Sequence, residues 1–157
     1  MHCAIATSTS TSNVETLMHH VLNRPLADYF EAVVTSDIVV DKKPSPAVYQ
    51  FAMAELGLAP DECVAIEDTA SGNRAALAAG LKTVITTHRF TRHHDFTGAS
   101  LILDELGSPR QPFTVQKGDA HGARFVDIAL LDALLTGTYE PHTEQDWPQP
   151  ELVAMAK

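Results

Sequence analysis

Basic residues are scarce: eleven Lys and Arg stand against twenty Asp and Glu in 157 residues, a net charge of −9. A duplex nucleic-acid binder needs a basic face to displace counterions, and so thin a spread does not make one. Long apolar runs are missing too. None approaches the ~20 residues that cross a bilayer, so no membrane partner is expected. The start, Met1-His2-Cys3-Ala4-Ile5-Ala6-Thr7, has neither the basic region nor the apolar stretch of a secretion signal. Only two cysteines occur, Cys3 and Cys63, far apart in apolar contexts. Reduced thiols and a cytoplasmic location are the expectation, not a disulfide or a thiolate metal site. No Gly-x-Gly-x-x-Gly follows any apolar run, which counts against a dinucleotide-binding domain.

Apolar residues make up 45% of the chain, enough for the core of one domain but not of two. Residues 1–138 read as strand and helix in alternation. Short apolar runs at 3–6, 32–35, 63–66 and 82–86 suit buried parallel strands, with a shorter fifth at 99–103. Ser12 and Glu15 have capping-box spacing ahead of Val14, Leu17, Met18, Val21 and Leu22, an apolar stripe at helical period. Ser45-Pro46 opens a second helix carrying Val48, Phe51, Ala52 and Leu56, which Gly57 ends. A third helix starts near Ser71 and closes at Gly80, and a fourth is expected at 125–135. Three prolines between Pro141 and Pro150, without period, make 139–157 a loose tail. The fold class is therefore α/β, with a parallel sheet covered on both faces.

In such sheets ligands bind beyond the carboxyl ends of the strands. The first strand ends in Thr7-Ser8 and the third in Glu67-Asp68, while Lys43-Pro44 follows the second. Each alone has an ordinary reading: hydroxyls cap helices, acids favour helix N-termini, and lysines sit in water. Their convergence on one rim is what points to chemistry. Two adjacent carboxylates suit Mg²⁺, a lysine offsets phosphate charge, and fresh N–H groups at a helix start cradle oxyanions. A rival histidine metal site at His88, His93, His94 and Asp95 lacks zinc-ligand spacing.

Ala4-Ile5-Ala6-Thr7-Ser8-Thr9-Ser10, Lys43-Pro44-Ser45-Pro46 and Val64-Ala65-Ile66-Glu67-Asp68-Thr69-Ala70-Ser71-Gly72 resemble, in order, three motifs of the haloacid dehalogenase (HAD) hydrolases. Within that superfamily the chain is similar to the CbbY, β-phosphoglucomutase and phosphoglycolate-phosphatase group. The resemblance implies a three-layer Rossmannoid core and a Mg²⁺-dependent phosphatase of small phosphorylated metabolites, sugar phosphates or bisphosphates. It implies catalytic roles for Thr7, Lys43 and Asp68, substrate contacts at Thr7, Ser8, Lys43 and Asn13, and Mg²⁺ at Glu67 and Asp68. A phosphosugar mutase, or a non-catalytic remnant that binds phosphate or metal, remains an alternative.

The family pattern opens with Asp-x-Asp, whose first Asp is the nucleophile, and no Asp-x-Asp occurs in this sequence. The expectation is a C-terminal piece without the central nucleophile strand and cap, inactive alone. The family's strand order, 5-4-1-2-3, would leave a slot between strands 3–6 and 63–66, unless they collapse into a direct pair.

Overall fold

Strand β1 (Ala4–Ala6) pairs in parallel with β2 (Ala32–Val34), Ile5 opposite Val33. In the computed structural model, which describes residues 1–22 and 25–140, a second sheet stands apart from this pair. It runs β3 (Val64–Glu67), β4 (Lys82–Thr86), β5 (Leu101–Leu103) and β6 (Val115–Gly118). The first three are parallel, and β6 is antiparallel to β5 with a register irregularity at Ile102/Leu103. No ladder joins β1 to β3, and among the described residues no strand lies between them. The two strands are not paired directly.

Helices α1 (Thr11–Val21), α2 (Ala47–Leu56), α3 (Ala70–Ala78) and α4 (Ile128–Thr136) complete the layers. Strand periodicity assigns the faces. On β4, Val84 joins Leu101, Leu103, Leu130 and Leu134 in a core under α4. Its neighbours Thr83 and Ile85 point to the α3 side, where Thr83 donates a hydrogen bond to Asn73 of α3. α3 and α4 therefore cover opposite faces of one sheet, the three-layer α/β arrangement. A separate core spans both sheets: Val34 from β2, Val48, Tyr49, Ala52 and Met53 from α2, Ala65 from β3, and Ala75, Ala76 and Ala79 at α3. Small alanines let α2 and α3 approach closely, so packing joins the sheets where backbone pairing does not.

Several expectations are corrected. Ser10, not Ser12, caps α1, accepting a bond from the Asn13 N–H at 3.4 Å. Of the α1 stripe only Val14 is buried; Leu17 and Val21 are 60% and 69% exposed because no described element covers them. On α2 the inward face is Val48, Tyr49, Ala52 and Met53, with Phe51 turned outward. Ile66 is half-exposed, since the core under α4 reaches Val64 but stops short of it. β6 was not foreseen, because all four of its residues are exposed and no apolar alternation marks it. The fourth helix begins three residues later than expected, capped by Asp127, which accepts the Leu130 N–H at 2.8 Å. The expected tail from residue 141 onward lies outside the described residues.

Candidate active site

Just past β1 the chain turns sharply. The Thr7 N–H donates to the Val34 carbonyl at 2.9 Å, extending the β1–β2 ladder by one residue. The Thr7 hydroxyl then accepts the Thr9 N–H at 3.2 Å, and the Asn13 side-chain amide donates to the Thr9 hydroxyl at 3.0 Å. Asn13 thus braces the turn from the first turn of α1. Asp37 accepts the Thr11 N–H at 2.8 Å from the β2 side. The backbone N–H of Ser8, at the apex, takes no hydrogen-bond partner among the described residues. An unpaired N–H beside a helix start is a donor available to an oxyanion.

Lys43 reaches this turn from the loop after β2. Its ammonium donates to the Ala6 carbonyl at 2.9 Å, to the Tyr49 hydroxyl at 3.1 Å and to the Glu67 carboxylate. It also lies 4.6 Å from the centre of the Tyr49 ring. Tyr49 in turn donates its hydroxyl to Glu67. Burial, and then the negative charge of Glu67, push the Tyr49 phenol far above its ordinary range, so it stays a donor. The Lys43 and Glu67 side chains are only 13% and 7% exposed. A buried carboxylate is costly unless paired and hydrogen-bonded, and this one is both.

Glu67 needs room behind it, and Gly72 provides it. A Cβ on Gly72 would lie 1.8 Å from a Glu67 carboxylate oxygen, so any larger residue there forces the carboxylate out of its place beside Lys43 and Tyr49. α3 starts at this point, with Thr69 as its cap accepting the Gly72 N–H at 3.0 Å. Thr69 is thereby committed to the helix. Asp68 differs from its neighbour: its side chain is 55% exposed, with one oxygen 3.6 Å from Nε2 of His88, at the end of β4. The His88 Nδ1 accepts the Phe90 N–H at 3.3 Å, which leaves Nε2 as the protonated nitrogen in the neutral ring.

The structure therefore brings Thr7, Lys43 and Glu67 to one rim, with Asp68 next to Glu67 and Ser8 next to Thr7. Tyr49 is hidden from sequence reasoning inside an apolar helix stripe, and His88 inside a histidine group without metal-ligand spacing. The one available signal was the Tyr49 hydroxyl, a polar atom on a buried face.

Mg²⁺ keeps several waters and needs only one or two protein carboxylates. Glu67 is engaged by Lys43 and Tyr49, which leaves Asp68 as the open oxygen donor here. Among the described residues no three His, Cys, Asp or Glu side chains gather as a metal group. The residues present fit Mg²⁺ as a partial set: one direct carboxylate, backed by one that is held in place. No described helix is long and apolar enough to cross a membrane.

The family model for haloacid dehalogenase-like hydrolases matches residues 1–86. The plasmid-borne CbbY protein of Cupriavidus necator is 40% identical over 136 residues, 86% of this chain and 53% of that protein. The fructose-1-phosphate phosphatase YqaB of Escherichia coli is 36% identical over 81 residues, 52% of this chain and 42% of that protein. Among solved structures, a mutant CbbY from Rhodobacter sphaeroides in complex with xylulose-(1,5)bisphosphate superposes with a TM-score of 0.65 at 40% identity. That match covers 69% of this chain and 50% of the other. The chain spans about half the length of the curated CbbY relatives it matches.

Proposed function

The chain belongs to the haloacid dehalogenase-like hydrolases, CbbY-like, and from that premise we propose that it forms part of a Mg²⁺-dependent phosphatase of sugar phosphates or bisphosphates. The enzyme would act in the cytoplasm on small phosphorylated metabolites. One observation carries the reading: the Lys43 ammonium, fixed by Ala6, Tyr49 and Glu67, sits between the ends of β1 and β3, where Thr7 and Asp68 also lie.

Phosphoryl transfer asks a protein mainly for alignment and for charge neutralisation. The Thr7 hydroxyl and the Ser8 N–H would hold the phosphoryl oxygens. Lys43 would offset the negative charge on those oxygens, and its three anchors would spare it the entropy of being positioned during reaction. Asp68 would hold Mg²⁺, with Glu67 behind it; when bound, the ion would neutralise phosphoryl charge and orient the oxygens. Asn13 would keep the phosphate turn in shape. No Asp-x-Asp occurs in the sequence, so these 157 residues are expected to turn over negligibly by themselves.

The test is phosphate release from a panel of sugar mono- and bisphosphates, with and without Mg²⁺. A polypeptide carrying an Asp-x-Asp strand ahead of residue 4 should be active. Asp68→Asn or Lys43→Ala should lower that activity by about 100-fold or more. Robust Mg²⁺-dependent turnover by residues 1–157 alone, or full activity in either variant, refutes the proposal.

A further inference from the structure

A second concentration of donors lies on the other side of His88. An open cleft of about 270 Å³ is bounded by the 88–97 loop and by β6, with Arg92, His94, Asp95, Gln116 and Lys117 in its wall and Ile102 beneath. It is smaller than the roughly 300–1,000 Å³ that encloses a whole ligand, so it suits one charged group. In a chain of net charge −9, the meeting of Arg92 and Lys117 is unexpected. Neither makes a contact ion pair among the described residues.

The remaining lining groups are arranged around them. The one carboxylate, Asp95, is exposed in the cleft wall, and one of its oxygens accepts the Thr97 N–H at 2.9 Å and the Thr97 hydroxyl at 2.6 Å. Those bonds, with Arg74 and Lys117 nearby, hold Asp95 below the usual carboxylate range. Gln116 gives one side-chain N–H to Thr87 at 2.7 Å, which leaves it another. Nδ1 of His94 accepts the Ala70 N–H at 3.5 Å, so the neutral ring carries its proton on Nε2. The loop itself is firm, because the Asn73 side chain, 1% exposed, donates to the Thr97 carbonyl at 3.2 Å.

We propose that this cleft is an anion site that binds a phosphate group, with Arg92 and Lys117 as charge partners and His94 and Gln116 as neutral donors. A guanidinium fork matches two phosphate oxygens, and the ammonium adds a point charge. The site does not depend on the phosphatase reading, since none of its four donors is used there. The phosphate could arrive free or as the far end of a bisphosphate, and the same chemistry serves both.

The full 157-residue chain, labelled with ¹⁵N and free of Mg²⁺, is titrated with inorganic phosphate and followed by its amide spectrum. Saturable shifts are expected at Arg92, His94, Thr97, Gln116 and Lys117. The double variant Arg92→Ser, Lys117→Ser should weaken them about tenfold or more, with the rest of the spectrum and the melting temperature unchanged; both residues are exposed, so folding is not at stake. A sugar bisphosphate as second titrant separates the sources. Tighter binding that also shifts Thr7 and Ser8 places both phosphates of one molecule, and equal binding assigns the cleft to free phosphate. Shifts confined to Thr7 and Ser8, or cleft shifts that survive in the double variant, overturn the proposal. Loss of the Thr7 and Ser8 shifts alone would count against the phosphatase reading and leave this one standing.

Discussion

Lys43 and Glu67, 24 residues apart in sequence, form a buried ion pair that reaches from the β1–β2 half of the molecule to the end of β3. Through it the loop after β2 and the acidic end of β3 share one charge balance. The pair is structural and, on the proposed reading, catalytic as well.

Removing one partner should therefore be costly. Lys43→Met leaves the Glu67 carboxylate buried with Tyr49 and without a cation, which should cost about 3 kcal/mol. Replacing both, Lys43→Met with Glu67→Leu, should recover most of that loss, because an apolar pair needs no desolvation. Urea midpoints of the three proteins decide the matter. A single variant as stable as the parent would mean that the pair carries no net stabilisation.

Gly72→Ala tests the space behind Glu67. Its backbone φ is not in the left-handed region, so the effect reports the collision with the carboxylate and not backbone strain. The substitution should destabilise by roughly 1–3 kcal/mol. Combined with Glu67→Ala it should cost far less than the sum of the two single changes, since the second removes what the first collides with. Strict additivity in the double-mutant cycle would falsify the steric account.

Asp104 gives a pH-dependent outcome. The Thr114 N–H, donating at 2.6 Å, is the main cause that lowers its pKa; the Glu105 N–H at 2.9 Å adds to it. The folded pKa lies below the unfolded one, so the stabilisation is present above the ordinary aspartate range. It is lost as the pH falls through the depressed folded value. Carbon-detected NMR titration of the Asp104 carboxyl should give a midpoint below about 3.9. In Asp104→Asn this acid-side dependence should disappear, and a normal midpoint in the parent would contradict the hydrogen-bond geometry.

How much was legible follows from what each residue does. β1 to β4 announce themselves because strands buried against helices are continuous apolar runs; Thr7, Glu67 and Asp68 stand at strand ends, and Lys43 in the loop that follows β2. Tyr49 and Asn73 escaped because their importance comes from partners 18 and 10 residues away: Glu67 for the phenol, and Thr83 for the buried amide. Local periodicity sees Tyr49 as one more helix residue, and it sees Asn73 as a polar one that belongs outside. β6 was invisible for the opposite reason, since an exposed edge strand has no buried face to impose a pattern. The cap of α1 is Ser10 and not Ser12, since the two serines are chemically equivalent in sequence and the turn is positioned by long-range bonds, Ser36 N–H to Thr9 and Thr11 N–H to Asp37.

The gap between β1 and β3 has a mechanical side. A sheet resists being pulled apart sideways through its ladder, in which many hydrogen bonds must break together. Between these two strands there is no ladder to break. Resistance there falls on the alanine-lined contact of α2 with α3 and on the Lys43–Glu67 pair. Short side chains have few rotamers to rearrange, so the contact is stiff in compression but has little reach in extension. Along this line the described residues hold the two sheets together by side chains and not by backbone pairing, and Thr7 and Asp68 lie on its two banks. Whatever occupies that line sets the width of the site.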